Sequence, residues 1–124
     1  MAAQENLLFH IDAIVVDGLA LAFEDGSAML SGAARFENEV VPSASGIDFA
    51  KRKRVPTIVK LKLQLGNAVD PAILASASGV QITLRDGQSQ RRVMLPKCMF
   101  ASLGDLGGGS VDLSYIVLSP PQWL

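Results

Sequence analysis

The sequence predicts a mainly β domain: a two-sheet antiparallel β-sandwich or barrel with one short flanking α-helix and a long loop. Three observations carry that expectation. Apolar residues recur with a period of two along most of the chain, the spacing of a half-buried strand. Asp-Gly occurs at Asp17-Gly18, Asp25-Gly26 and Asp86-Gly87, each pair flanked by strand-like residues. It is a strong hairpin signal, because type I′ turns need positive φ. Helix punctuation is found at one place only, Asp70-Pro71.

The first strand runs from about Ile11 to Val16. After the Asp17-Gly18 turn, Leu19, Leu21 and Phe23 alternate with Ala20 and Ala22. A third strand, from about Met29 to Val41, sets Arg35, Glu37 and Glu39 against Ala34, Phe36 and Val40. Residues 42–56, PSASGIDFAKRKRVP, show no regular pattern and read as a long loop, which in a compact domain is usually functional or disordered. From Thr57 to Leu65 the alternation is clean, with Val59, Leu61, Leu63 and Leu65 facing one way and Lys60, Lys62 and Gln64 the other.

A short helix is expected over residues 70–78. Asp70 is a suitable N-cap, Pro71 suits the first helical position and Gly79 can end it, leaving Ile73, Leu74 and Ala77 as an apolar stripe. Val80, Ile82 and Leu84 then alternate with Gln81, Thr83 and Arg85, and Asp86-Gly87 turns that strand into Arg91 to Leu95. SLGDLGGGS reads as an irregular connection. A last strand, from about Ser110 to Leu118, sets Val111, Leu113, Tyr115 and Val117 against Asp112 and Ser114.

At 124 residues and 49% hydrophobic content, one domain can bury a core without disulfides or metals. Cys98 is the single cysteine and His10 the single histidine, so no internal bridge or zinc cluster is expected, and a reducing compartment fits assembly. The opening MAAQENLLFHIDAIVV has no basic leader and interrupts its apolar residues with Glu5, His10 and Asp12. We therefore expect a soluble chain rather than a signal peptide or membrane span. A mean hydropathy of +0.32 with 19% charged residues is apolar for a monomer of this size. Part of the surface is expected to be buried against other subunits.

No catalytic constellation is evident. His10 and Asp12 would share a strand face without a nucleophile beside them. Gly107-Gly108-Gly109 lacks the Gly-Lys-Ser/Thr ending and the helix of a phosphate loop. Cys98 sits among apolar neighbours as a small hydrophobe, and the carboxylate pairs Glu37/Glu39 and Glu24/Asp25 suit solvation of a strand edge. We expect no enzyme, cofactor or metal.

The order of elements is the most informative feature. A VDG hairpin precedes a long strand ending at Val40-Val41, then a polar loop with glycine and basic residues and the amphipathic PTIVKLKLQL. A short helix follows AVDP, and then come VQITLRDGQSQRRVML and MFASLGDLGGGSVDLSYIVLS. Over roughly residues 10–120 this order resembles the tail tube proteins of long-tailed bacteriophages, which are related in fold to the tube proteins of contractile injection machines. The four-cation run and the terminal SPPQWL are not part of that pattern.

The resemblance implies hexameric rings stacked into a hollow tube, with one sheet of each subunit joining its neighbours in a lumen-lining barrel. It implies a structural virion protein of the tail, assembled in the host cytoplasm. Its partners would be copies of itself, a tape-measure protein, tail terminator and baseplate proteins and, in contractile tails, a sheath. Double-stranded DNA would pass through the lumen without specific binding. Since exposed cations would bind a transiting polyanion, acids should line the passage, with Glu24, Asp25, Glu37, Glu39 and Asp86 as candidates. The 42–56 loop would reach the adjacent ring, with Ile47 and Phe49 as apolar anchors and Lys51, Arg52, Lys53 and Arg54 paired to its carboxylates. One alternative is a nucleic-acid-binding, OB-like β-barrel using the basic loop. The near-neutral charge and sparse aromatics, with Phe49 alone beside the run, speak against it. A second is a tube protein of the type VI secretion kind.

Overall fold

A computed structural model describes residues 8–64 and 70–124; Glu5, Leu65 and residues 66–69 lie outside them. Strands account for 54% of the chain and helix for 4%, and every strand pairing is antiparallel. The elements are β1 (Ala13–Val16), β2 (Leu19–Leu21), β3 (Met29–Ser31), β4 (Phe36–Val41), β5 (Phe49–Arg54), β6 (Thr57–Gln64), α1 (Pro71–Ala75), β7 (Ser78–Arg85), β8 (Arg92–Leu103), β9 (Ser110–Val117) and β10 (Gln122–Trp123). Eight strands form one sheet in the order β2-β1-β7-β8-β9-β6-β3, with β10 beside β8; β4 and β5 form a separate two-stranded sheet.

Alternation in the sequence becomes burial in the main sheet. Thr57, Val59, Leu61 and Leu63 of β6 are buried while Lys60, Lys62 and Gln64 are exposed. Their partners on β9 match them, with Val59 opposite Tyr115, Leu61 opposite Leu113 and Leu63 opposite Val111. Ile14, Ile82, Leu84, Val93, Leu95 and Cys98 join the same cluster. Each such aliphatic side chain contributes about 1.5–3 kcal/mol relative to exposure. The one helix among the described residues adds one buried residue, Leu74, so nearly all of the core comes from the strands. Tyr115 packs edge-to-face on Phe100 with ring centroids 6.2 Å apart. Its hydroxyl is buried without a hydrogen-bond partner among the described residues.

The turns separate three uses of Asp-Gly. Asp17 and Gly18, at φ 48° and 83°, form the expected two-residue turn between Val16 and its partner Leu19. Asp25-Gly26 makes no hairpin: Phe23 bridges Leu63 before the turn and Met29 pairs Lys60 after it. Both flanks lie on β6, and Ser27 Oγ fills the gap by accepting from Lys62 N at 3.2 Å. Asp86-Gly87 opens a longer turn, since Arg85 pairs Arg92. There the Asp86 carboxylate, rather than a type I′ backbone, organises the chain by accepting from Gln88 N and Ser89 Oγ.

Four expected boundaries are corrected. The strand expected over Met29–Val41 breaks at a turn where Gly32 and Arg35 have φ of 68° and 69°, with Arg35 N donating to Gly32 O at 2.9 Å. The helix expected over 70–78 ends at Ala75. Asp70 caps it as expected, accepting from Ala72 N at 2.9 Å, but Ser76 Oγ donates back to Ile73 O and Ser78 already belongs to β7. Residues 42–56 are not one loop, because Phe49–Arg54 is the strand β5, paired residue for residue with β4. The cations therefore alternate between the two faces of a ribbon. Farther along, β8 runs past the expected end at Leu95 to Leu103, and the β7 register shifts between its Cys98 and Leu95 pairings. Pro96, which has no N–H to give to a ladder, lies in that interval.

Candidate assembly surface

The β4–β5 hairpin leaves the main sheet at Gly32–Arg35 and returns at Val55-Pro56. Its root is fixed by Val55 N donating to Arg35 O at 2.7 Å and Thr57 Oγ1 donating to Gly32 O at 2.9 Å. Beyond the root, every residue of both strands is exposed. The register sorts the side chains into two faces, since opposed residues share a face and successive ones alternate.

One face carries Glu37 opposite Lys53, Glu39 opposite Lys51, and Val41 opposite Phe49. A diagonal ion pair joins Lys53 Nζ to Glu39 Oε1 at 3.8 Å. The other face carries Phe36 opposite Arg54, Asn38 opposite Arg52, and Val40 opposite Ala50, with the Arg52 guanidinium 4.2 Å from the Phe36 ring centroid. The basic run is thus divided: two lysines oppose the hairpin's own glutamates, and two arginines occupy a face without an acid. Apolar side chains gather toward the tip, where Val40 is 70%, Ile47 69% and Phe49 65% exposed. Among them, Asp48 Oδ1 accepts from Ser43 N at 3.4 Å, and Ser43 and Ser45 hydroxyls lie 2.9 Å apart.

The five acids expected at a lumen fall in three places. Glu24 and Asp25 are exposed at the turn over β6, and Glu37 and Glu39 share the hairpin with the basic run. Asp86 differs from the other four in being buried, and its carboxylate accepts from His10 N, Gln88 N and Ser89 Oγ. The His10 amide hydrogen bond, then that of the Ser89 hydroxyl, lowers its pKa to about 2. These bonds make it the organiser of its turn.

His10 and Asp12 do meet, as their spacing suggests, with Nε2 3.6 Å from Asp12 Oδ1 and 3.2 Å from Asp25 Oδ1. Asp12 Oδ2 also accepts from Gly87 N at 2.9 Å. These contacts tie the chain entering β1 to two turns. Burial pushes the Cys98 thiol up to about 11, which suits a packing role.

Among the described residues no group of His, Cys, Asp and Glu is arranged to hold a metal ion, and no helix is long and apolar enough to cross a membrane. What the hairpin offers is a ribbon with an apolar tip and segregated charges. No family model matches the chain, and no curated protein matches it in sequence.

Proposed function

We propose that this chain is a self-assembling structural subunit whose rings stack into a tube of the bacteriophage tail type, with the β4–β5 hairpin as the arm that engages a neighbouring subunit. The observation that carries this reading is the arm itself. An isolated two-stranded ribbon is marginal in water, yet this one holds Val40, Val41, Ile47 and Phe49 in solvent. A second copy would bury that tip, and the outer edges of β4 and β5 leave backbone groups free for strand addition.

In the same reading the main sheet of each subunit joins those of its neighbours in the tube-lining barrel. Within the subunit, the segment following β2 pairs β1 and then continues to β6, with Gln64 N donating to Ala22 O and Glu24 N donating to Lys62 O, each at 2.9 Å. It links the β2 end of the strand order to β6, the neighbour of the other end strand, β3. The function is passive, with the tube as conduit for double-stranded DNA, the tape-measure, terminator and baseplate proteins as further partners, and the virion tail as its place.

Electron microscopy of the full chain across a concentration series tests the proposal: rings or tubes are expected. The Lys51/Arg52/Lys53/Arg54→Ser quadruple variant should retain its circular dichroism spectrum but fail to stack. A strictly monomeric wild-type chain at every concentration would sink the reading, and normal tubes from the variant would remove the cations from the contact.

A further inference from the structure

We infer that a cleft at the β7–β8 turn is a phosphate-binding site built from Arg85, Arg91 and Arg92. The cleft has a volume of about 540 Å³ and is lined by these arginines with Gln90 and Leu124 among its other walls. The inference does not depend on tube assembly.

Two features distinguish this cluster from ordinary surface cations. Arg85 and Arg92 are directly opposed across the ladder, an arrangement in which like charges destabilise a sheet. Among the described residues no carboxylate, the chain terminus included, lies within 4.0 Å of any of the three guanidiniums. Asp86 shares the lining, but its oxygens are occupied by the donors that shape the turn. The opposed charges therefore have no carboxylate in ion-pair contact, and an external oxyanion would supply the counterion.

Arg91 is positioned by a different means. Its guanidinium stands 5.0 Å from the Trp123 ring centroid and 5.7 Å from that of Phe9, and those two rings pack edge-to-face at 5.1 Å. Aromatic support holds the cation without consuming its N–H groups in a salt bridge. Three guanidiniums about one cleft favour a multiply charged oxyanion over a single carboxylate, and the fork of donors on each matches phosphate oxygens.

Trp123 is the only tryptophan and stacks against Arg91 of the site, so its emission reports occupancy. The full chain is titrated with inorganic phosphate at constant ionic strength against chloride and acetate, with fluorescence and thermal unfolding read in parallel. A saturable emission change and a rise in Tm are expected with phosphate alone. Arg92→Gln should weaken binding about tenfold or more, as for loss of a charge-assisted hydrogen bond. Arg85→Gln should lose the phosphate response while its Tm without phosphate stays the same or rises, since the opposed pair is relieved. An Arg52→Gln/Arg54→Gln variant of the hairpin should respond as wild type.

A short DNA duplex competing for the same emission change, with the same loss in Arg92→Gln, identifies backbone phosphate as the source. Phosphate binding without DNA binding identifies the free ion. An unsaturable response shared with chloride, an equal response to acetate, or a response abolished by the hairpin variant but kept in Arg85→Gln and Arg92→Gln would overturn the inference.

Discussion

β6 and β5 are both strands that carry lysines, yet one builds the core and the other buries nothing. In β6 the alternation of Val59, Leu61 and Leu63 with Lys60, Lys62 and Gln64 becomes a buried face and a wet face. In β5 four consecutive cations follow Phe49 and Ala50, without apolar alternation, and both faces are exposed. Their neighbours differ as well: β6 lies between β9 and β3 in the main sheet, whereas β5 has only β4. A strand can form without alternation, but it takes alternation and sheet neighbours on both sides to put one face into the core.

The largest expected effect breaks that comparison if it fails. Leu84→Ala, at a fully buried position, should destabilise the isolated chain by about 2–5 kcal/mol. Phe49→Ala on the arm should fall within about 0.5 kcal/mol of wild type while abolishing assembly. Urea unfolding measures both. Equal losses would show that the arm packs against its own chain and is not held out for a partner.

The root of the arm comes next. Gly32 has φ of 68°, and a Cβ placed there would meet the Pro56 carbonyl oxygen at 2.2 Å. Gly32→Ala therefore incurs about 1–2 kcal/mol for the left-handed backbone and further strain from a carbonyl that cannot rotate away. Loss of assembly should exceed what the stability change explains, because the arm is re-aimed. Wild-type assembly with wild-type unfolding would show that the root does not direct the arm.

Much of this was legible beforehand because period and cap chemistry are local. The strands around Val59–Leu63 and Val111–Val117, the Asp17-Gly18 turn and the Asp70 cap all follow from residues within one element. The ribbon character of Phe49–Arg54 was not, since four consecutive cations read as a solvated loop until Glu37 and Glu39 are known to lie opposite Lys53 and Lys51. The burial of Asp86 was hidden for a related reason: its partner His10 is 76 positions away. The arginine cleft hid in RDGQSQRR, whose arginines are brought together by a hairpin register, with aromatic support from the distant Phe9 and Trp123.

A pH series should give a smaller, graded effect confined to the main sheet and its turns. Asp86 is held at about 2, so in acid the unfolded chain takes up a proton that the folded chain resists. Its contribution is complete above the ordinary carboxylate range and disappears as pH falls through about 2. Cys98 and Tyr115 are raised to about 11 and about 12 by burial; the unfolded chain releases those protons first, and stability declines as pH rises through these values. Urea midpoints for Asp86→Asn should show a flatter acid limb than wild type. An unchanged limb would place the acid sensitivity elsewhere.

The smallest effect sharpens the comparison most finely. Lys53 and Glu39 have side chains 58% and 54% exposed, and an exposed pair of this kind couples by about 0–1 kcal/mol, less as salt rises. A double-mutant cycle with Lys53→Gln and Glu39→Gln should therefore return a value near zero in the isolated chain. In the assembled state the same cycle should return more, because a neighbour covering the arm lowers the local dielectric and leaves either partner costly to strand. A coupling that is identical in both states would mean that this face of the ribbon stays in water after assembly, and the contact would then belong to the Arg52 and Arg54 face and the apolar tip.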